Sequence, residues 1–212
     1  MRRSCLSIED LRLLEVLTRC VSMMAIQHLC FLRQECGSLR VVQRRVERLV
    51  KTGWLQRHTI VACSPSLPDR PIWTWLPNDK EPDAERLSYY FRRRSVYRTQ
   101  RRLTVITATS RAANLMGSDA AGLPKASHWN HDLDLASVYC TYRGKWPLQA
   151  SCWVGEHTLP KAGYRLKDPD AFIVDSECRV LKVVESAGVY SPEQVESFHL
   201  FCEDNSIAYE LW

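Results

Sequence analysis

The sequence predicts an α+β chain in two parts: helices closing on a β-hairpin in front, and an α-β-β-β-α-β unit behind. Three observations carry that expectation. Apolar residues recur at helical spacing three times before residue 53 and then alternate at strand spacing. Charge is divided: the first 102 residues hold 20 of the 29 Lys and Arg but only 10 of the 24 Asp and Glu, a balance of +10 against +5 for the whole chain. Further on, two apolar runs at 171–174 and 180–184 are joined by the short polar turn Asp175-Ser176-Glu177.

Ser7-Ile8-Glu9-Asp10 starts the first helix, with Ser7 as cap and Asp10 three residues later. Ile8, Leu11, Leu14 and Leu17 then share one face. A second helix is expected from about Ser22 through Ile26, Leu29 and Cys30 to Leu32. Gly37-Ser38 breaks the chain before a third, at 39–52, with Leu39, Val42, Val46, Leu49 and Val50 inward and Gly53 closing it. The opposite face of this third helix carries Arg40, Arg44, Glu47, Arg48 and Lys51. Residues 54–61 alternate as a strand, 64–71 form a turn, and 72–76 read as the strand that completes a hairpin. Arg57, His58 and Arg70 fall on that hairpin.

Arginine dominates this front half, where only Lys51 and Lys80 are lysines. A planar guanidinium makes paired contacts to phosphate and guanine, so the ladder reads as a surface for a polyanion. Two plainer readings stand beside it: an Arg-rich solvated face, and a helical unit used for protein contacts.

Residues 78–82 are a polar linker. A basic connector follows at 83–102, in which Arg92-Arg93-Arg94, Arg98 and Arg101-Arg102 alternate with Tyr89, Tyr90, Phe91 and Tyr97. Such a mixture can grip phosphates and stack on unpaired bases, unless the aromatics are core. A strand at 103–107 and a short helix capped by Ser110 and stopped by Gly117 lead to a loop at 118–125. The expected division is therefore 1–78, 79–124 and 125–212.

The third part reads as a helix at 131–142, strands at 148–154, at 164–166 or 170–174, and at 180–186, a helix opened by Ser191-Pro192-Glu193, and a last strand at 207–212. Asp170 at the start of one strand and Glu185 at the end of its partner can lie side by side. Two such carboxylates can hold a divalent metal for phosphodiester chemistry. Glu156, ending the first strand, is a further candidate. The plainer reading is a hairpin with solvated acidic ends. His128-x-x-His131 with Asp132 and Asp134 could ligate a metal, or cap the helix and favour its N-terminus.

Other chemistry lacks support. His157 and His199 have no nucleophile context, and no phosphate-binding glycine loop occurs. The nine cysteines form no C-x-x-C pair, and most read as small buried hydrophobes of a reducing compartment, so the cytoplasm is expected. No apolar run approaches the ~20 residues of a membrane span, and Glu9-Asp10 after the basic start argues against a signal peptide.

The three helices and hairpin resemble the winged-helix family of DNA-binding domains, with 39–52 in the recognition-helix position and Arg57, His58 and Arg70 on the wing. The back half, over roughly 128–212, resembles the restriction-endonuclease-like PD-(D/E)XK superfamily. That resemblance implies an Asp and a following acidic residue holding Mg²⁺ or Mn²⁺, here Asp170 and Glu185, and a lysine two residues later. Ala187 stands at the lysine position. Lys182 lies three residues before Glu185 and points to the other face, while Lys161 and Lys167 lie on the loop before Asp170. The whole chain resembles the replication-relaxation family of plasmid and mobile-element proteins, on the helix-wing pattern, the stretch from Thr107 to Gly117, His131-Asp132-Leu133 and Pro169-Asp170-Ala171. The likeness implies DNA binding in plasmid replication, mobilisation or its regulation. From the ladder, hairpin and connector, the residues expected to meet duplex DNA are Arg40, Arg44, Arg48, Lys51, Arg57, Arg70, Arg92, Arg93 and Arg94, and Ala187 in place of the lysine leaves the nuclease-like domain expected to be degenerate. The alternatives are an active metal-dependent endonuclease, and an adaptor docking a replication or transposition enzyme; a homodimer is compatible with each.

Overall fold

Helices alternate with strands along the chain, and the strands gather into two sheets, so the class is α+β. The computed structural model describes residues 5–30, 38–158 and 169–212. Helix α1 (Ile8–Glu15) opens on the capping box: Asp10 N donates to Ser7 Oγ and Ser7 N to Asp10 Oδ2, at 3.3 and 2.8 Å. A widened turn over Val16–Cys20 continues it. The second expected helix is replaced by a short strand, β1 (Met24–Ala25), and a 3-10 turn over Ile26–Cys30. Met23, Met24 and Ala25 are all buried, and a stretch apolar on every side suits a covered strand better than a one-faced helix. Residues 31–32 of that expectation lie outside the described residues.

Helix α2 (Leu39–Lys51) buries Val42, Val46 and Leu49 at i, i+4, i+7, and Gly53 follows with φ of +75°. Strand β2 (Leu55–Cys63) then pairs antiparallel over nine positions with β4 (Gln100–Ala108), from Leu55↔Ala108 to Cys63↔Gln100. This corrects the expected hairpin. The run at 72–76 supplies β3 (Trp73–Trp75), which pairs with the last strand, β8 (Ala208–Leu211). Trp75 is buried there against Tyr209, their rings stacked at 5.5 Å, which favours the back sheet for this segment. The first sheet has the order β1-β4-β2.

The connector forms α3 (Ala84–Val96), capped by Asp83, and a short α4 (Ser110–Met116) follows β4. The cap of α4 is Thr109, whose Oγ1 accepts from Ala112 N at 3.3 Å, and not Ser110. After these come α5 (Trp129–Lys145), the single turn α6 (Pro147–Ala150), β5 (Trp153–Gly155), β6 (Ala171–Val174), β7 (Val180–Glu185) and α7 (Pro192–Asp204). The strand expected at 148–154 is thus helical at its start, and the one at 164–166 lies outside the described residues. The second sheet runs β3-β8-β7-β6-β5; β5, β6 and β7 are antiparallel neighbours, and β8 lies parallel to β7 after the crossover through α7. Among the described residues the back half follows the expected α-β-β-β-α-β order with the turn α6 added after α5.

Strand alternation gives this sheet two covered faces. Ala171, Ile173 and Val184 face α5 in a buried cluster with Tyr139, Tyr142 and Trp212. Phe172, Val183, Tyr209 and Leu211 face α3 and α7, packing on Leu87, Phe91, Val195 and Phe198. The first of these clusters also contains Leu14, Leu17, Val46 and Leu49, so front and back share one core. Together with the β2–β4 and β3–β8 pairings, it cuts across the expected boundaries at 78 and 124.

On the α5 face, buried Glu210 accepts from Tyr142 Oη at 2.5 Å, Lys182 Nζ at 2.6 Å and Trp212 Nε1 at 3.0 Å. Lys182 thus points away from Glu185, as alternation requires. A buried charge deprived of its partner is left desolvated. Glu210→Ala should lower unfolding stability by about 3 kcal/mol or more in urea titration, and adding Lys182→Met should recover part of that loss.

Candidate nucleic-acid interface and carboxylate pair

Helix α2 turns one stripe to solvent. Arg40, Arg44, Glu47 and Lys51 recur along it and are all exposed, with Val41 and Gln43 beside them. A groove of about 450 Å³ runs between this helix and the first sheet, lined by Gln27, Gln43, Glu47, Arg57, Arg102 and Thr104. Arg57 and Arg102 come from adjacent strands, β2 and β4. The β2–β4 pairing therefore brings in Arg102, which the sequence placed only in a connector.

Arg48 belongs elsewhere. Its Nη2 donates to Asp10 Oδ1 and Oδ2 at 2.5 and 2.6 Å, and Arg45 Nε lies 3.4 Å from the same carboxylate. Burial works against the charge on Asp10, but Arg48 and Ser7 hold its pKa below the ordinary range. The guanidinium is thus a structural partner of α1. His58 Nε2 meets Thr107 Oγ1 at 3.1 Å across the strand pair. Arg70 is not on a wing: it precedes β3 and lines a separate cavity with Trp73, Arg86 and Tyr90. Arg92, Arg93 and Arg94 lie exposed at the end of α3, Arg92 donating to Ser88 Oγ at 2.8 Å and Arg94 lining a cleft with Arg98, Asn130, His131 and Tyr190.

The expected acidic pair is brought together. The register Ala171↔Val184 sets Asp170, just before β6, beside Glu185 at the end of β7, and both are buried. Each is occupied by donors of the chain itself. Asp170 Oδ2 accepts from Ser186 N at 2.7 Å and from His131 Nε2 at 3.0 Å. Glu185 Oε2 accepts from Asp170 N at 3.1 Å, and its Oε1 accepts from Tyr190 Oη. His131 also meets Asp132 Oδ1 at 3.2 Å, and Asp132 Oδ2 accepts from Ser22 Oγ at 3.0 Å. Burial disfavours a charged imidazole here, yet Asp132 and Asp170 together push the His131 pKa up to about 11. A fixed imidazolium thus neutralises the acidic end of the hairpin.

As placed, both carboxylates are turned to donors of the chain itself. Ala187, at the expected lysine position, is buried, and Glu156 is exposed, its main-chain N donating to the Asp170 carbonyl at 3.0 Å. Among the described residues no three His, Cys, Asp or Glu side chains cluster as a metal site. Lys161 and Lys167 lie outside the described residues. The histidine pair is split: His128 is exposed at the start of α5 without a side-chain capping bond, while Asp134 takes Arg98 at 2.5 and 2.7 Å. His131 and Tyr190 are the partners that spacing does not reveal; in the sequence His131-Asp132 stands out as a metal or capping motif and as part of the family likeness, not as a partner of Asp170.

Four of the eight described cysteines are buried and all eight are free; burial pushes the Cys20 thiol up to about 12. No helix among the described residues is long and apolar enough to cross a membrane.

Two histidines set opposite limits on stability with pH. Buried His28 accepts Ala25 N at Nδ1 (3.2 Å) and donates from Nε2 to Ser137 Oγ (2.9 Å), and burial lowers its pKa from 6.5 to about 4. Its contribution is complete above 6.5 and is lost as pH falls toward 4. The raised His131 does the reverse: its contribution is complete below 6.5 and fades as pH rises toward 11. Urea midpoints of the wild type should therefore fall on alkaline titration, and His131→Asn should flatten that limb while leaving the acid limb in place.

No family model, curated protein or solved structure matches this chain.

Proposed function

We propose that the chain is a double-stranded-DNA-binding protein of a plasmid or other mobile element, acting in replication, mobilisation or their regulation, with a nuclease-like back half that has lost catalysis. The observation that carries the first part is the solvent stripe Arg40, Arg44, Glu47 and Lys51 on α2, flanked by a groove bearing Arg57 and Arg102. A helix of this breadth suits the major groove, and guanidiniums on adjoining strands suit the flanking phosphates. The helical segments up to residue 51 followed by the antiparallel pair β2–β4 support a winged-helix reading, in which β2 and β4 stand where the two wing strands would. The mobile-element setting rests on the resemblance to replication-relaxation proteins alone.

Arg40→Ala, Arg44→Ala and Lys51→Ala combined should weaken duplex binding and reduce the slope of log affinity against log salt by about one for each phosphate left without its cation. Arg48→Ala is the contrast: it should cost fold stability, about 2 kcal/mol, through the uncovered Asp10, with little effect on the slope. Unchanged affinity in the triple variant would remove the reading.

Loss of catalysis is supported by the donors that occupy Asp170 and Glu185 and by Ala187. Supercoiled plasmid and branched DNA incubated with Mg²⁺ or Mn²⁺ should stay intact. Cleavage that Asp170→Ala abolishes would instead establish the endonuclease alternative.

A further inference from the structure

The outer face of α3 carries a feature that duplex binding by α2 does not use. Ala84, Leu87, Ser88 and Phe91 turn inward, so the remaining face holds Arg86, Tyr90 and Arg93 at i, i+4 and i+7, followed by the C-cap residue Tyr97 at i+11, all exposed. Cations and aromatic rings alternate along this stripe, which spans about 16 Å at the helical rise. Tyr97 is 79% exposed and Val96 76%, with Tyr89 and Tyr90 beside them at 58% and 43%. Tyr89 and Tyr90 stand edge to face at 6.1 Å, and the Arg86 guanidinium lies 5.9 Å from the Tyr90 ring. Phe91, the remaining aromatic of this run, is buried, so the open rings are surplus to the core. Large rings left in water at such density mark an interaction surface.

The charge around them selects the partner. Arg92, Arg93, Arg94, Arg101 and Arg102 are all exposed; Asp134 is taken up by Arg98, Glu193 lies near Arg92, and Glu81 and Asp83 line the cavity beside Arg86, so cations outnumber acids along the stripe. Arg102, on β4 six residues after the end of α3, also lines the groove beside α2. A polyanion fits this charge, and open rings between the cations fit a polyanion with unstacked bases.

We propose that the α3 face binds an unpaired strand continuous with the duplex held at α2, which makes the preferred ligand a duplex–single-strand junction. The unpaired-strand site stands on α3 alone, whereas the junction preference rests on the proposed duplex binding. Tyr90 and Tyr97 stack on bases, and Arg86 and Arg93 hold the phosphates between them.

Fluorescence anisotropy with three probes separates the two readings: a blunt hairpin duplex, the same hairpin with a single-stranded dT tail, and dT oligonucleotide alone. The wild type should bind the tailed hairpin about tenfold more tightly than the blunt one, the effect of one stacked base. Tyr90→Ala with Tyr97→Ala should erase that preference while blunt-duplex affinity stays within twofold and the circular-dichroism spectrum is unchanged. The Arg40, Arg44 and Lys51 triple variant should keep its dT binding. Equal affinity for blunt and tailed hairpins in the wild type, or a preference that survives the tyrosine substitutions, overturns the inference and leaves the duplex reading standing. Binding of dT without any duplex binding removes the duplex reading and the junction, and retains the unpaired-strand site. Self-association that disappears on tyrosine substitution, with no dT binding, assigns the face to a second copy and overturns the inference.

Discussion

The nine-position ladder between β2 and β4 is the constraint on which the rest of the arrangement depends. Its strands are separated by residues 64–99, and closing that length costs entropy that only a long paired interface and a packed core offset. Because the ladder takes β4 as the partner of β2, the intervening chain is released to the other side, where β3 becomes the edge of the second sheet and α3 covers its face beside α7. Front and back are interleaved, and the buried cluster that runs from Leu14 to Trp212 follows from that interleaving.

The same ladder assembles the basic surface. Arg57 and Arg102 lie far apart in sequence, and adjacent strands bring them to one groove beside α2. The i, i+4 recurrence of basic residues on α2 is legible in the sequence, but recurrence does not say which guanidinium a buried carboxylate has claimed. Asp10, capping α1 and sealed from water, takes Arg48 and leaves Arg40, Arg44 and Lys51 to solvent. The division is electrostatic: a buried carboxylate needs a paired cation, and Arg48 meets both of its oxygens while Arg45 stands 3.4 Å away.

At the hairpin the logic is similar with the charges reversed. Strand register alone places Asp170 beside Glu185, and two carboxylates so close need a compensating positive charge or donors. In this chain the compensation is internal, from the His131 imidazolium, two main-chain amides and the Tyr190 hydroxyl. The acidic pair is thereby part of what holds α5, β6 and the 186–190 turn together.

The sequence by itself determined what is local. The capping box at Ser7, the helix start at Ser191-Pro192, the inward stripe of α2 and the 171–185 hairpin all follow from spacing and turn chemistry, which act within a few residues. Only the tertiary structure decided what is distant. Strand partners for β2 and β3, the Met24–Ala25 strand in place of a helix, the claims on Arg48 and His131, and the exposure of Tyr90 and Tyr97 against the burial of Phe91 each depend on a surface built elsewhere in the chain. A strand carries no label for its partner, and a charged side chain none for its counter-ion, so both are settled when the core closes.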